Sequence, residues 1–355
     1  MKRLLLGIGL CSAALTAQPV YNASDFASGA TTHTMEVLSV DNILNLHQIT
    51  GPNVFWDISM AEVSGTETAV WTDASDSPFK PTWCALHDET ENCDTAFNAA
   101  FTLVSDASEG FSLGDLGIDG ALTHFKKTSD ALEGRMVGAI IQTQEGAVPV
   151  VADFDSPDLV YAFPLQYESG YDSVVSTTLD LNNFGIPLTI DAESVRMNVV
   201  DAWGNIGLGS GVSAPALRLR TSISTVYDVV FNGELIQSEE SAVLYKWFVP
   251  GYELPVLELY GTQDDSGNFI LAKARKMQNL LATPLVNPSQ VVLYPNPTSG
   301  QLFSTAGSEL SAVHVRNALG QTVSTTLDLT GLASGMYFVE LTSAGVKSTH
   351  KIVKN

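Results

Sequence analysis

Basic residues are scarce in this sequence: 17 Lys and Arg stand against 39 Asp and Glu in 355 residues, a formal net charge of −22. A surface so acidic repels phosphate backbones, which argues against nucleic acid as a partner. Cysteine is limited to three residues and histidine to six. No two histidines stand four apart and no HExxH string occurs, so no zincin-type metal site is encoded. No GxSxG elbow occurs either. Gly207-Leu-Gly-Ser-Gly211 has the right letters in the wrong order and fits a tight turn. Triads follow no fixed sequence order, but no serine here stands out as a nucleophile. Glycine-rich phosphate loops are missing. Long amphipathic helical patterns are scarce, the best being a short piece from Lys273 to Leu281.

At the N-terminus, Lys2 and Arg3 precede an apolar run from Leu4 to Leu15 that ends in Leu-Thr-Ala before Gln18. The run is too short for a membrane span, which needs about 18 residues, and reads as a secretory signal cleaved after Ala17. Cys11 raises a lipoprotein alternative, but Leu10 is not the small residue that such an anchor requires. No other stretch approaches a span, so the mature chain is expected to have no integral membrane segment. Cleavage leaves two cysteines, Cys84 and Cys93, and an isolated pair in an exported protein reads as one disulfide. Asp88, Glu89, Glu91 and Asp94 crowd the pair and would raise a thiol pKa, which counts against a nucleophile. His87 between them reads as a loop residue.

Strand signals dominate what remains. Gly138–Thr143 is a short apolar run, and Val195–Ala202 alternates. Leu217, Leu219, Thr221 and Ile223 point one way while Arg218, Arg220 and Ser222 point the other. Val226–Phe231, Asn232-Gly233 and Glu234–Gln237 spell a hairpin with the strongest two-residue turn chemistry. Leu257–Tyr260, Asp264–Asn268 and Phe269–Ala274 spell another. Sequential hairpins imply an antiparallel meander rather than a parallel sheet with crossover helices. The fold class is therefore all-β: a large antiparallel curved-sheet (or open-barrel) or sandwich domain, followed by a small C-terminal β-sandwich. The expected boundaries are a signal at 1–17, a β-rich passenger at 18–285 and a tail domain at 286–355, with a linker near Thr283–Gln290. Residues 18–288 hold 36 acidic and 11 basic residues, a net of −25, whereas the tail is close to neutral.

The tail carries the most specific signal. It opens with YPNPTSG (Tyr294–Gly300) and continues through AVHVRNALGQTV and LDLTGLASGMYFVELTSAG to KSTHKIVKN. Val313 and Val315, and Tyr337, Val339 and Leu341, recur with period two, and Asn-Ala-Leu-Gly and Ser-Ala-Gly read as the turns between them. The order of these pieces resembles the type A C-terminal sorting domain of the type IX (Por) secretion system of Gram-negative bacteria. The resemblance rests on Pro295, Asn296, Pro297, Gly300, Gly320, Gly335 and Tyr337, and on the terminal Lys-Ile-Val-Lys. It implies export through the Sec machinery and then the type IX machinery, to the medium or the outer-membrane surface. It also implies lipopolysaccharide as a possible surface anchor, and Lys347, Lys351 and Lys354 with the Gly335–Val339 strand as the positions the machinery senses. Tyr294, Phe303, Tyr337 and Phe338 lie mostly in apolar runs, unlike the exposed aromatics of a carbohydrate-binding module.

A second resemblance covers Val200–Gly261. Asp-Ala-Trp-Gly (Asp201–Gly204) would open a hairpin, an Leu-Arg-Leu-Arg strand follows, and Lys246–Leu257 comes later. These pieces look like a passenger domain that recurs beside the same sorting tail, with Trp56 and Asp57 near its start. The likeness implies architecture and no chemistry.

Asp153, Asp155 and Asp158 form the densest ordered acidic cluster outside the disulfide loop. Alternating oxygen donors would suit calcium, the one ion the sequence suggests, but the glycine and terminal glutamate of an EF-hand loop are missing. A solvated acidic turn capped by Pro157 is the plainer reading. The five tryptophans, Trp56, Trp71, Trp83, Trp203 and Trp247, are mostly expected to pack a β core. The expected function is a non-catalytic surface or secreted binding or structural protein. The alternative is an extracellular hydrolase of glycans or esters, which would need two carboxyls about 5 to 10 Å apart across a cleft or an unrecognised serine.

Overall fold

The computed structural model describes residues 18–40, 43, 45–106, 118–143, 146–209, 212–278, 293–304, 310–317, 320–343 and 346–355. The expected signal and linker fall outside these residues. Strand accounts for 63% and helix for 8%, which is the all-β class. The chain divides into two compact units, Met1–Gln278 and Asn279–Asn355.

The first unit is one 13-stranded sheet. Its strands are β1 (Thr31–Leu38), β2 (Gly51–Asp57), β3 (Val63–Asp73), β4 (Leu103–Asp106), β5 (Ile118–Lys127), β6 (Ala131–Thr143) and β7 (Gly146–Ala162). They continue with β8 (Gly170–Asp180), β9 (Leu188–Gly209), β10 (Val212–Phe231), β11 (Glu234–Phe248), β12 (Leu257–Gln263) and β13 (Phe269–Met277). Strands β9 to β13 form the expected meander, and β13 is followed across the sheet by β1, β3, β4, β5, β6 and β7. Asn232 and Gly233 turn β10 into β11 with φ of 51° and 82°. That pair of left-handed residues matches the twist of a tight hairpin.

Three sequence readings are corrected here. The meander is not wholly antiparallel, because β2 pairs in parallel with the second half of β9, where Val54 faces Gly204. Asp201–Gly204 therefore lies in mid-strand; the hairpin closes further on, where Gly209 pairs with Val212. Lys273–Met277, at the start of the segment that offered the best helical pattern, is the end of β13.

The sheet curls until β7, at one end of the path, lies along β8. Ser156 Oγ donates to the Val174 carbonyl at 2.9 Å, Thr177 Oγ1 to the Asp153 carbonyl at 2.7 Å and Tyr171 OH to the Val160 carbonyl at 3.1 Å. The result is an open barrel closed by side-chain bonds, which leaves fewer bare strand edges.

Two short helices missed by sequence reading, α1 (Lys80–Leu86) and α2 (Cys93–Ala100), form a hairpin whose buried side packs Phe79, Trp83 and Phe97 with Phe101, Met136 and Val151. His124 is buried in this cluster with Nε2 2.6 Å from Ser77 Oγ. Burial pushes its imidazole down to about 4, so it is neutral at physiological pH.

The second unit contains β14 (Leu293–Tyr294), β15 (Phe303–Ser304), β16 (Leu310–Arg316), β17 (Thr322–Ser324), β18 (Gly335–Ser343) and β19 (Val346–Lys354). Strands β17-β16-β18-β19 make one sheet and β14-β15 a second. Leu293 and Leu302 share one core with Val315, Val339, Leu341 and Ile352. Ser343, at the end of β18, pairs with Val346, at the start of β19.

Candidate functional site

The barrel of the first unit encloses a cavity of about 320 Å³, and every strand except β2 contributes a lining residue. Strand periodicity builds it. Ala192, Ser194 and Arg196 point inward from β9, and Ile223, Thr225 and Tyr227 point inward from β10. Val137, Phe154, Val160 and Val175 add an apolar wall, and Trp71 and Phe125 add ring surface.

The rest of the lining is charged. Lys246, Glu258 and Arg275 stand side by side on β11, β12 and β13 as cross-strand partners. Arg275 binds Glu258 through Nε, Glu67 through Nη1 at 2.7 Å and the Tyr260 hydroxyl through Nη2 at 2.8 Å. Lys273 reaches Glu67 at 2.6 Å. The Lys246 Nζ is 3.2 Å from the Tyr161 hydroxyl and 3.9 Å from Glu258. Across the cavity, Arg196 Nε binds Asp158 at 3.0 Å, and Ser173 also donates to that carboxylate at 2.6 Å.

Burial pushes the Lys246 ammonium down to about 8; Glu258 opposes that and Arg275 adds to it. Burial likewise raises the Tyr161 and Tyr260 phenols well above their usual value, so both stay protonated. Burial works against the Glu67 charge, but Lys273 and Arg275 outweigh it and hold the carboxyl below its ordinary value. Water is the usual partner of such groups, and their burial is tolerable only because each is bonded. Chemically, the arrangement offers an apolar chamber with a polar, hydrogen-bonding end. No histidine lines it, and Ser105 Oγ is directed at the Val70 carbonyl.

These residues were not singled out from sequence. The available signal was a lone charge inside an apolar run, Lys246 in Val-Leu-Tyr-Lys-Trp-Phe-Val and Glu258 in Val-Leu-Glu-Leu-Tyr. Arg218 was missed in the same way. It is 1% exposed although its strand face was read as opposite to the buried one. It binds Asp201 through two nitrogens at 2.8 Å and donates to the carbonyls of Leu46, His47 and Ile49.

The Asp153, Asp155 and Asp158 triplet does not form a ligand set. Among the described residues no three His, Cys, Asp or Glu side chains are grouped for a metal. Nor is the segment a turn: it lies within β7, where residues 154–157 bulge between the Asp153–Met136 and Asp158–Gly134 pairs. Asp155 is exposed, Asp158 holds Arg196, and Asp153 meets the helical hairpin. Trp83 Nε1 donates to Asp153 Oδ1 at 3.1 Å, and His87 Nε2 is 3.1 Å from Oδ2. Burial raises the Asp153 carboxyl, and His87 pulls it back. His87 caps α1 and stacks on Trp83 at 4.2 Å, so it is part of a clasp rather than a loop. Cys84 and Cys93 form the disulfide, with Cα atoms 5.5 Å apart, and tie α1 to the start of α2. Of the tryptophans, Trp56 and Trp247 are fully buried and meet edge to face at 5.9 Å.

In the second unit the Asn-Pro segment and the terminal Lys-Ile-Val-Lys form one seam. Asn296 Nδ2 donates to the Lys351 carbonyl and Asn296 Oδ1 accepts from the Val353 amide, both at 2.9 Å. Thr298 then pairs in parallel with Lys354. The Asn-Pro motif thus supplies the missing neighbour of edge strand β19, and two motifs distant in sequence become one structure. Gly300 lies against Thr330, whose Cα would be 2.9 Å from any added Cβ, so a side chain there would displace backbone. Tyr337 is buried with its hydroxyl on the Ala333 carbonyl at 2.8 Å. Residues 292–355 match the family model of a secretion system C-terminal sorting domain.

The C-terminal unit is a type IX sorting domain.

It covers about a fifth of the chain. No curated protein and no solved structure matched. A chain carrying this sorting domain is an exported one, secreted or attached to the cell surface, and the secretion machinery is its partner. No helix among the described residues is long and apolar enough to cross a membrane. Within the sorting domain, Gly320 closes the β16–β17 connection with φ of 79° and Gly335 opens β18. Lys351 is exposed, whereas Lys354 is 8% exposed and its Nζ contacts the Asn355 carbonyl. One reading is corrected: Tyr294 and Phe303 are about half exposed and pair at 5.9 Å rather than sinking into the core.

Proposed function

We propose that this chain is an exported binding protein whose passenger takes a small organic molecule into the barrel interior. On this reading residues 1–17 direct passage through the Sec machinery and are removed. The sorting domain then carries the passenger across the outer membrane, to be released or anchored through lipopolysaccharide. The observation that carries the binding role is the cavity itself, about 320 Å³ with a mixed apolar and charged lining. That size and composition fall in the range of small-ligand sites. Its ionisable groups are engaged with one another, which favours recognition over proton transfer.

The test is native mass spectrometry of the full chain recovered from its producing cells, beside a Thr225→Trp variant that fills the chamber. The expected result is a co-purifying small molecule, or thermal stabilisation by amphipathic additives, that disappears in the variant. Turnover of ester, glycan or peptide substrates, abolished by changing one serine or carboxylate, would replace this reading with the hydrolase.

A further inference from the structure

The ionisable lining of the cavity is closed on itself. Glu67 binds Lys273 and Arg275, Glu258 binds Arg275 and stands beside Lys246, and Lys246 also meets the Tyr161 hydroxyl. Asp158 is held by Arg196 and Ser173. Asp106 borders the cavity too, but it is exposed, where water solvates it. Lys246, Glu258 and Arg196 are buried. A charged head group entering among them gives up its water and gains an opposite charge only by displacing that charge's present partner. Both steps are unfavourable, and an uncharged molecule meets neither.

The uncharged wall is rich in rings. Phe125, Trp71, Phe26 and Tyr161 all border the cavity and touch in series, with centroids 5.1, 5.1 and 5.5 Å apart. Ring surfaces of this kind hold a flat aromatic guest through offset or edge contacts that a puckered guest of equal size does not make.

Resting on the binding role above, we infer that the ligand is an uncharged molecule built on a flat aromatic ring system, seated against Trp71 and Phe125. The paired ions then act as a filter that turns away charged molecules of either sign, and the rings supply the preference for flatness.

Four probes on one skeleton separate these contributions by calorimetric titration of the full chain at pH 7: 2-naphthol, 2-naphthoate, 2-naphthylmethylammonium and the saturated decahydro-2-naphthol. The uncharged 2-naphthol is expected to bind about tenfold or more tighter than either charged analogue. It is expected to bind about threefold to tenfold tighter than decahydro-2-naphthol, as ring contacts would give. Trp71→Leu is expected to reduce that second ratio to near one while 2-naphthol still outbinds the charged pair. The unaltered protein supplies both ratios should the variant not fold. Binding of either charged analogue as tight as that of 2-naphthol would overturn the uncharged ligand while leaving the cavity as a binding site. Equal binding of the flat and saturated alcohols would overturn the aromatic one in the same way. Failure of all four to bind would overturn the binding role and this inference with it.

Discussion

The two units place polar groups in opposite ways. In the sorting domain the interior is apolar, and the specific residues lie in an outer seam where Asn296 bonds the backbone of β19. In the passenger the specific residues are inside, where Lys246, Glu258, Arg275, Arg196 and Asp158 line a chamber. A seam between short motifs has a sequence signature, because the motifs must keep their order and residue types. A chamber assembled from twelve strands does not, because its lining is scattered along the chain, a few residues from each strand.

The sharpest way to break that comparison is to remove one side of the seam. Deleting residues 346–355 takes away β19, and with it the Lys351 and Val353 partners of Asn296 and the backbone pairing of Thr298. Export is expected to fail almost completely, with the chain accumulating in the periplasm, as read by cell fractionation and immunoblotting. Normal surface delivery of the truncated chain would disconnect the seam from sorting.

The second largest effect belongs to the passenger. Arg218→Met leaves Asp201 without its guanidinium and three carbonyls, of Leu46, His47 and Ile49, without their donor. Breaking a buried pair from one side costs about 3 to 5 kcal/mol, visible as a lower urea midpoint. The sorting domain's own unfolding transition should not move. A change below about 1 kcal/mol would mean that the pair contributes little beyond an apolar side chain of similar size.

How much of this was legible follows from the same contrast. The meander from β9 to β13, the Asn232-Gly233 turn and the disulfide were readable because each depends on neighbours in sequence. The parallel pairing of β2 with β9 was not, since it joins distant segments, and the seam between the consecutive strands β7 and β8 was not, since side-chain bonds rather than a backbone ladder make it. Helices α1 and α2 escaped because they are seven and eight residues long, too short for a strong 3.6-residue period. Arg218 read as an outward charge because alternation assigns a face and cannot say what covers it. The sorting domain was recognisable from sequence, but not that Asn296 and Lys351 meet.

The helical hairpin offers a pH test of intermediate size. His124 titrates at about 4 in the folded chain because burial disfavours its charge, against 6.5 when unfolded. Between these values the unfolded chain binds the extra proton, so the passenger loses stability as pH falls from 6.5 toward 4 and this loss levels off below 4. The full effect is about 3 kcal/mol. Chemical denaturation across this range should show a slope that His124→Phe removes, while the sorting domain, which lacks such a residue in its described core, keeps its own profile.

The smallest effects come from dividing the aspartate triplet, and they decide whether the passenger's acidic surface is a site or three separate contacts. Asp158→Asn weakens a pairing with Arg196, whose side chain is 9% exposed, and is expected to cost about 2 to 3 kcal/mol. Asp153→Asn keeps an acceptor for Trp83 Nε1 and weakens only the His87 contact, whose side chains are 37% and 41% exposed. About 0.5 kcal/mol is expected there, since exposed pairs contribute little. Asp155→Asn is expected to be neutral within about 0.5 kcal/mol, because the residue is exposed and outside any described contact needed by the fold. The order Asp158, Asp153, Asp155 should be the same with and without millimolar calcium. A shared cation would erase the ordering: each variant would then lose a calcium-dependent rise in melting temperature of similar size, and the three carboxylates would have to move out of the strand geometry that now separates them.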